Sequence, residues 1–213
     1  MNNQFDEIVV GQSNLDFNAR LELEMNKNIL DEMEEEKKPL EERIKSKNWK
    51  TRKNAYIEML NKLKEGDYDT YIPCYAIILE DQHGNSLDTG LEVIEQFLRN
   101  AESAGRCVSD IFKNLLEKTM TVSKPAIKEK AKELISVCME ISNDSKSICD
   151  ILKNGMENKN FKIQTVSINM ATFLISCYGS HKLDYRSLLP INPINHNDEM
   201  IINTLRKLAE LIK

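Results

Sequence analysis

Trp49 is the only tryptophan of the chain, and it stands between Asn48 and Lys50 in a run of bases: Lys45, Lys47, Lys50, Arg52 and Lys53. A large apolar ring framed by ammonium and guanidinium groups is the chemistry of a contact hot spot against an acidic partner. The competing reading makes the bases a solvated helix face and the ring a packing residue. Polar neighbours on both sides of Trp49 weigh against the core, and both readings stay open at this point. Nothing else in the chain has the spacing of a catalytic centre. The phosphate loop G-x-x-x-x-G-K-[ST], the nucleophile elbow G-x-S-x-G and the zinc-protease H-E-x-x-H are all missing. Paired carboxylates such as Glu41-Glu42 lie side by side with nothing to raise a pKa, so no enzyme and no cofactor is expected. The five cysteines (Cys74, Cys107, Cys138, Cys149, Cys177) form no C-x-x-C, and His83, His181 and His196 are scattered, so no metal site is expected. The thiols read as reduced and buried, with Cys107 alone outside apolar company.

The elements that must position Trp49 and its bases emerge from composition and period. The 213 residues are 41% hydrophobic and 30% charged, enough apolar material for one domain with a tail. With 7 Gly, 5 Pro and 6% aromatics, collagen-like and fully disordered classes are excluded and turn-rich sandwiches or barrels disfavoured. No run approaches 18 apolar residues, and the acidic N-terminus lacks the basic start of a secretory signal, so a cytoplasmic protein outside the membrane is expected. The net charge of −5 is unevenly placed: residues 1–38 carry −6 and residues 39–213 carry +1. We read 1–38 as an acidic, partly disordered leader and 39–213 as the folded domain. The leader is placed to mask a basic surface by charge, an idea that fails if its deletion leaves salt-dependent binding unchanged.

From Pro39 onward short helices alternate with short turns, and almost nothing alternates with period two. Helices are predicted over 39–47, 50–64, 69–80, 86–104, 108–118, 124–141, 146–157 and 161–178, then weakly over 185–191 and again over 199–213. Ser86 or Asn85 is the predicted cap of the fourth and Ser123 of the sixth. In 161–178 the positions Ile163, Val166, Met170, Phe173, Leu174 and Cys177 form a helical stripe. Turns between paired helices fall near 49, 84, 123, 160 and 197, a period of about 35–39 residues. Two helices per unit at that period is the pattern of HEAT or armadillo repeats. The predicted fold is therefore all-α, an α-solenoid of about five HEAT-like helical hairpins. In such a stack the turns within the pairs emerge along one edge, which here carries Trp49, Lys50 and Arg52, then Gln82, His83 and Asn85, then Ser123, Lys124 and Lys128, then Asn158, Lys159 and Lys162.

The segment Pro39-Leu40-Glu41-Glu42-Arg43, with Trp49-Lys50-Thr51-Arg52 and Ala55-Tyr56 behind it, resembles the opening of a TOG domain. TOG domains are the tubulin-binding HEAT arrays of the ch-TOG family of microtubule polymerases, and the likeness is greatest to a first TOG. Glu157-Asn158-Lys159-Asn160-Phe161-Lys162-Ile163 is similar to the family's fourth turn, with Phe161 where the family has Pro, and Ser123-Lys124 with Lys128 is similar to its third. The resemblance implies that the edge grips αβ-tubulin. It implies that Trp49 wedges against β-tubulin beside Lys50 and Arg52, and that Lys124 meets acidic groups of β-tubulin. Lys159 and Lys162 would reach α-tubulin. It further implies control of microtubule growth and spindle organisation, in the cytoplasm and cytoskeleton at a spindle pole, centrosome or kinetochore. Two features depart from the pattern: the second turn reads Asp81-Gln82-His83-Gly84-Asn85, and Ile201 stands about where the fifth turn is usually basic. The alternative is a generic HEAT-repeat adaptor for another protein or peptide. Nucleic acid is disfavoured by the acidic leader and the broken basic run.

Overall fold

The computed structural model describes residues 33–179 without a break, together with 19, 22, 23, 25–30, 183 and 188. These described residues contain helices and turns and no strand. From Leu40 eight α-helices run in order: α1 Leu40–Arg43, α2 Trp49–Lys64, α3 Ile72–Leu79, α4 Gly84–Asn100, α5 Ala104–Glu117, α6 Pro125–Ile141, α7 Ser145–Met156 and α8 Phe161–Tyr178. A 3-10 turn, Asp69–Tyr71, leads into α3, and another, Thr119–Thr121, comes after α5. The predicted fifth pair, 185–191 with 199–213, and the disordered reading of residues 1–14 lie outside the described residues, apart from Leu188.

The helices stack in two layers, as an α-solenoid of HEAT-like pairs. In one layer α2 packs on α4 and α4 on α6, and in the other α3 packs on α5 and α5 on α7. Each pair also packs on itself, α3 with α4, α5 with α6 and α7 with α8. The apolar side chains of both layers meet in one continuous core that runs from Tyr56 and Met59 through Leu91, Phe97, Phe112 and Leu116 to Leu134, Leu152 and Leu174. Burial of each such side chain stabilises by about 1.5–3 kcal/mol, and no pair could supply that core alone.

Local chemistry sets the helix starts. Asn48 caps α2 and Asn160 caps α8, each accepting a hydrogen bond from the main-chain N–H two residues on, at 3.0 Å in both cases. Asp144 caps α7 by accepting from Ser147 N at 3.0 Å. Pro73 and Pro125 occupy the first turns of α3 and α6, where a missing N–H costs nothing. Two predicted caps were misplaced. The cap of α4 is His83, so Asn85 and Ser86 lie inside the helix, and the cap of α6 is Lys124 instead of Ser123. Neither His83 nor Lys124 caps through its side chain, so side-chain preference could not locate them.

The predicted stripe on α8 is corrected as well. The buried face holds Ser167, Ile168, Met170, Ala171, Leu174 and Ile175, while Cys177 is exposed and Ile163, Val166 and Phe173 are half-buried. This helix is apolar around most of its circumference, so periodicity alone marks no single face. The contact with α7 chooses it. Gly155 approaches so closely that a Cβ there would lie 2.1 Å from Ser167 Oγ, and the Ser167 hydroxyl donates within the helix to Ile163 O at 2.8 Å. Of the other thiols, Cys74, Cys138 and Cys149 are buried and Cys107 is half-buried.

Candidate functional site

The first two turns are joined by one carboxylate. Asp81, at the start of the α3–α4 turn, accepts two hydrogen bonds from the Arg52 guanidinium of α2, from Nε at 2.8 Å and Nη2 at 2.7 Å. Arg52 Nη1 donates back to the carbonyls of Ser46 at 2.8 Å and Lys47 at 3.2 Å, closing the α1–α2 turn. Asp81 also accepts from the His83 main-chain N–H at 2.8 Å and from the Tyr56 hydroxyl at 3.2 Å. The Asp81 side chain is 1% exposed and that of Arg52 16%. A bidentate pair this enclosed is short and directional, and it fixes geometry. Burial works to raise the Asp81 carboxyl, but the donors on Arg52 and the His83 main chain outweigh it and hold it below the usual carboxylate range. The same hydrogen bond raises the pKa of Arg52, and burial, then the Asp81 charge, raises that of Tyr56.

This clamp positions Trp49. The indole, at the first position of α2, stacks on the imidazole of His83 with ring centroids 4.3 Å apart and planes 11° from parallel. Arg52 lies three residues after Trp49 and His83 two after Asp81, so the carboxylate holds both partners of the stack. Trp49 is left half-buried, and neighbouring Lys47 and Lys50 are exposed. The ring is thus neither a core residue nor a loose surface one.

The edge continues through the later turns. Lys118 pairs with Glu80 at 3.4 Å, linking the third turn to the second. The Lys124 side chain crosses Gly84, where a Cβ would come within 3.1 Å of its Cδ, so glycine at the start of α4 leaves the space that the lysine occupies. The 3-10 turn Thr119–Thr121 in turn packs on α8. In the fourth turn Asn158 Oδ1 accepts from Asn160 N at 2.8 Å, which stiffens the loop that carries Lys159 and leads into α8, where Lys162 stands in the first turn. Gln82, Asn85, Ser123, Lys124, Lys159 and Lys162 are exposed, and Lys128 and Asn158 are half-buried. At the other end the acidic leader touches the first turn: Glu35 accepts from the Ser46 hydroxyl, and Glu36 pairs with Arg43 at 3.4 Å and accepts from Asn54 at 2.8 Å.

A model of the XMAP215/Dis1/CLASP TOG domain matches residues 34–209. The chain belongs to this TOG-domain family. It is 26% identical over 167 residues to Protein mini spindles of Drosophila melanogaster, covering 76% of this chain and 8% of that protein. To Centrosomal protein 224 of Dictyostelium discoideum it is 24% identical over 156 residues, covering 70% of this chain and 8% of that protein. The chain thus spans a small part of the length of these relatives. Its fold is similar to that of a chain from the structures of tubulin recruitment and assembly by microtubule polymerases with TOG-domain arrays, with a TM-score of 0.62, 18% identity, and coverage of 81% of this chain and 39% of that one.

In this TOG domain the first turn is tied to the second through Arg52 and Asp81, the second to the third through Lys124 over Gly84, and the third to α8 through Thr119–Thr121. Arg52, expected beside Trp49 as a contact, has three of its nitrogens turned to Asp81 and the main chain, so it positions the site. The sequence reading missed Asp81, which looks like one more solvated acid of a turn, and gave His83 no role. One signal was available: Trp49 and His83 are 34 residues apart, about one repeat, which places them side by side on stacked turns. Among the described residues no helix is long and apolar enough to cross a membrane, and no group of three or more His, Cys, Asp or Glu is placed to hold a metal ion.

Proposed function

We propose that this TOG domain binds αβ-tubulin along its turn edge and thereby regulates microtubule growth and spindle or cytoskeletal organisation, with no catalytic step of its own. The observation that carries this is the half-buried Trp49, clamped through His83 and the Arg52–Asp81 pair beside exposed lysines. A rigid aromatic anchor loses little entropy on binding, and a string of ammonium groups draws in an acidic partner. Trp49 is the apolar anchor. Lys50, Lys124, Lys128, Lys159 and Lys162 supply charge, Gln82, Asn85, Ser123 and Asn158 supply polar contacts, and Arg52 acts through the turn it holds. The names of the two relatives, together with the tubulin assemblies in which the similar fold occurs, support the tubulin reading over a generic HEAT adaptor. They also support a place in the cytoplasm and cytoskeleton, at spindle poles or centrosomes. We place the unit at residues 39–213 with 1–38 as an acidic leader, whose Glu35 and Glu36 bond to α1, the first turn and α2.

The test is size exclusion and titration of the protein with unpolymerised tubulin at low and moderate salt, with Trp49→Ala alongside. Trp49→Ala should weaken binding roughly 30-fold or more, as truncation of an aromatic hot spot does, and lower the melting temperature by no more than a few degrees, since the ring stack it removes contributes about 0.5–1.5 kcal/mol. Lys159→Ala should cost less than about fivefold, and less again at higher salt. Wild-type protein that binds no tubulin at any salt refutes the proposal, as does unaltered binding by Trp49→Ala.

A further inference from the structure

The fourth turn repeats the first. Ser46-Lys47-Asn48-Trp49-Lys50 and Asn158-Lys159-Asn160-Phe161-Lys162 share an order: a hydroxyl or amide acceptor, lysine, asparagine, an aromatic ring, lysine. The backbone shares it too. Asn48 has φ −78° and ψ 116°, and Asn160 has φ −79° and ψ 109°. Each asparagine accepts from the main-chain N–H two residues on at 3.0 Å. Each receives the same support from two residues before, Ser46 Oγ accepting from Asn48 N at 3.0 Å and Asn158 Oδ1 from Asn160 N at 2.8 Å. In both, the aromatic residue is the first of its helix. The second and third turns share the extended backbone, at His83 (φ −91°, ψ 115°) and Lys124 (φ −76°, ψ 115°), and Asp81 supports His83 N as Ser46 supports Asn48, but neither cap accepts through its side chain and the residues that follow are Gly84 and Pro125, not rings. One frame thus presents two rings, both at the starts of helices on the turn edge.

The two rings differ in what covers them. Trp49 has His83 on it, whereas no ring stacks on Phe161 among the described residues. Phe161 is 52% exposed, and across residues 40–179 the only other exposed large hydrophobic is Ile57, inside α2. A single exposed apolar side chain needs no explanation by itself. One held at the first position of a helix by a doubled asparagine frame, between exposed Lys159 and Lys162, is presented in the way Trp49 is. Three steps of helix packing at about 8–10 Å separate the first and fourth turns, so the rings stand roughly 25–30 Å apart. That is too far for one apolar pocket to take both.

We propose that Phe161 is a second apolar anchor of the turn edge, taking a carboxylate-rimmed apolar pocket on the bound tubulin dimer separate from the one that receives Trp49. The proposal rests on the tubulin-binding reading above. Its test is titration of the full chain with unpolymerised αβ-tubulin at two salt concentrations, using Phe161→Ala, Phe161→Pro, Phe161→Trp and Lys162→Ala. Proline fits the first helical position and the extended residue before it, so Phe161→Pro removes the ring and keeps the turn. Expected are a loss of about tenfold for both Phe161→Ala and Phe161→Pro at either salt, retained binding for Phe161→Trp, and a Lys162→Ala loss that fades as salt rises. Wild-type binding with Phe161→Pro equal to wild type overturns the second anchor and leaves the tubulin reading standing, even where Phe161→Ala melts early. A wild-type chain that binds no tubulin removes both.

Discussion

Replacing Asp81 by Asn tests the clamp directly. The substitution keeps the side-chain shape and one accepting oxygen but removes the charge that Arg52 faces. Surface ion pairs contribute about 0–1 kcal/mol, whereas breaking a buried pair costs about 3–5 kcal/mol because a charge is left enclosed and unpaired. With Asp81 1% and Arg52 16% exposed, the pair belongs near the buried limit, and the retained amide oxygen moves the cost down to about 2–3 kcal/mol. A chain of this size loses about 2–4 °C of melting temperature per kcal/mol, so Asp81→Asn should melt about 5–10 °C below wild type at neutral pH. The pH dependence has a definite sign. Asp81 is held below its ordinary value in the folded state, so the pair contributes fully above the unfolded aspartate range near about pH 4 and is lost as pH falls through the folded value. The two melting curves should therefore converge in acid. A second readout is intrinsic, because Trp49 is the only tryptophan. Loss of the Asp81 charge weakens its hold on Arg52 and on the His83 main chain, loosens the stack, and should move the indole emission to longer wavelength before any unfolding. Adding Arg52→Met to Asp81→Asn should recover part of the stability, since the uncompensated charge is what costs. Melting within about 1 °C of wild type at neutral pH, or a deficit that persists undiminished in strong acid, would refute this account.

Three further outcomes are expected from the packing. His83→Ala removes a ring stack that contributes about 0.5–1.5 kcal/mol, so it should shift the Trp49 emission, lower tubulin affinity through a less ordered anchor, and change the melting temperature by no more than a few degrees. Gly155→Ala puts a methyl 2.1 Å from Ser167 Oγ and 2.9 Å from Ser167 Cβ. It should destabilise by about 1–3 kcal/mol in denaturant titrations, with partial rescue by Ser167→Gly. In the native protein Cys177 should react quickly with a thiol reagent, while Cys138, whose thiol is pushed up to about 12 by burial, should wait for unfolding. Cys177→Ser should remove the fast phase.

Much of the framework was legible from residue order. The period of turns placed the helical pairs, and α8 was bounded to the residue, because Asn160 before it and Gly179 after it are strong local signals. The edge carrying Trp49, Lys124, Lys159 and Lys162 came from that period, since stacked hairpins present their turns on one side. Helix starts without side-chain caps, at His83 and Lys124, were legible only to within a few residues.

What residue order could not decide were contacts between turns a repeat apart. Arg52 and Asp81 are 29 positions apart, and each alone reads as a solvated charge; only the stacking of α2 on α4 turns them into an enclosed pair. The same stacking lays His83 on Trp49 and so settles whether the ring is core, surface or something between. The buried face of α8 was likewise chosen by Gly155 on its neighbour. Turn chemistry and helical period are local properties, written in a few adjacent residues. Desolvation of a charge, the cover on a ring and the choice between two apolar faces depend on what packs against them, and that is a property of the assembled stack.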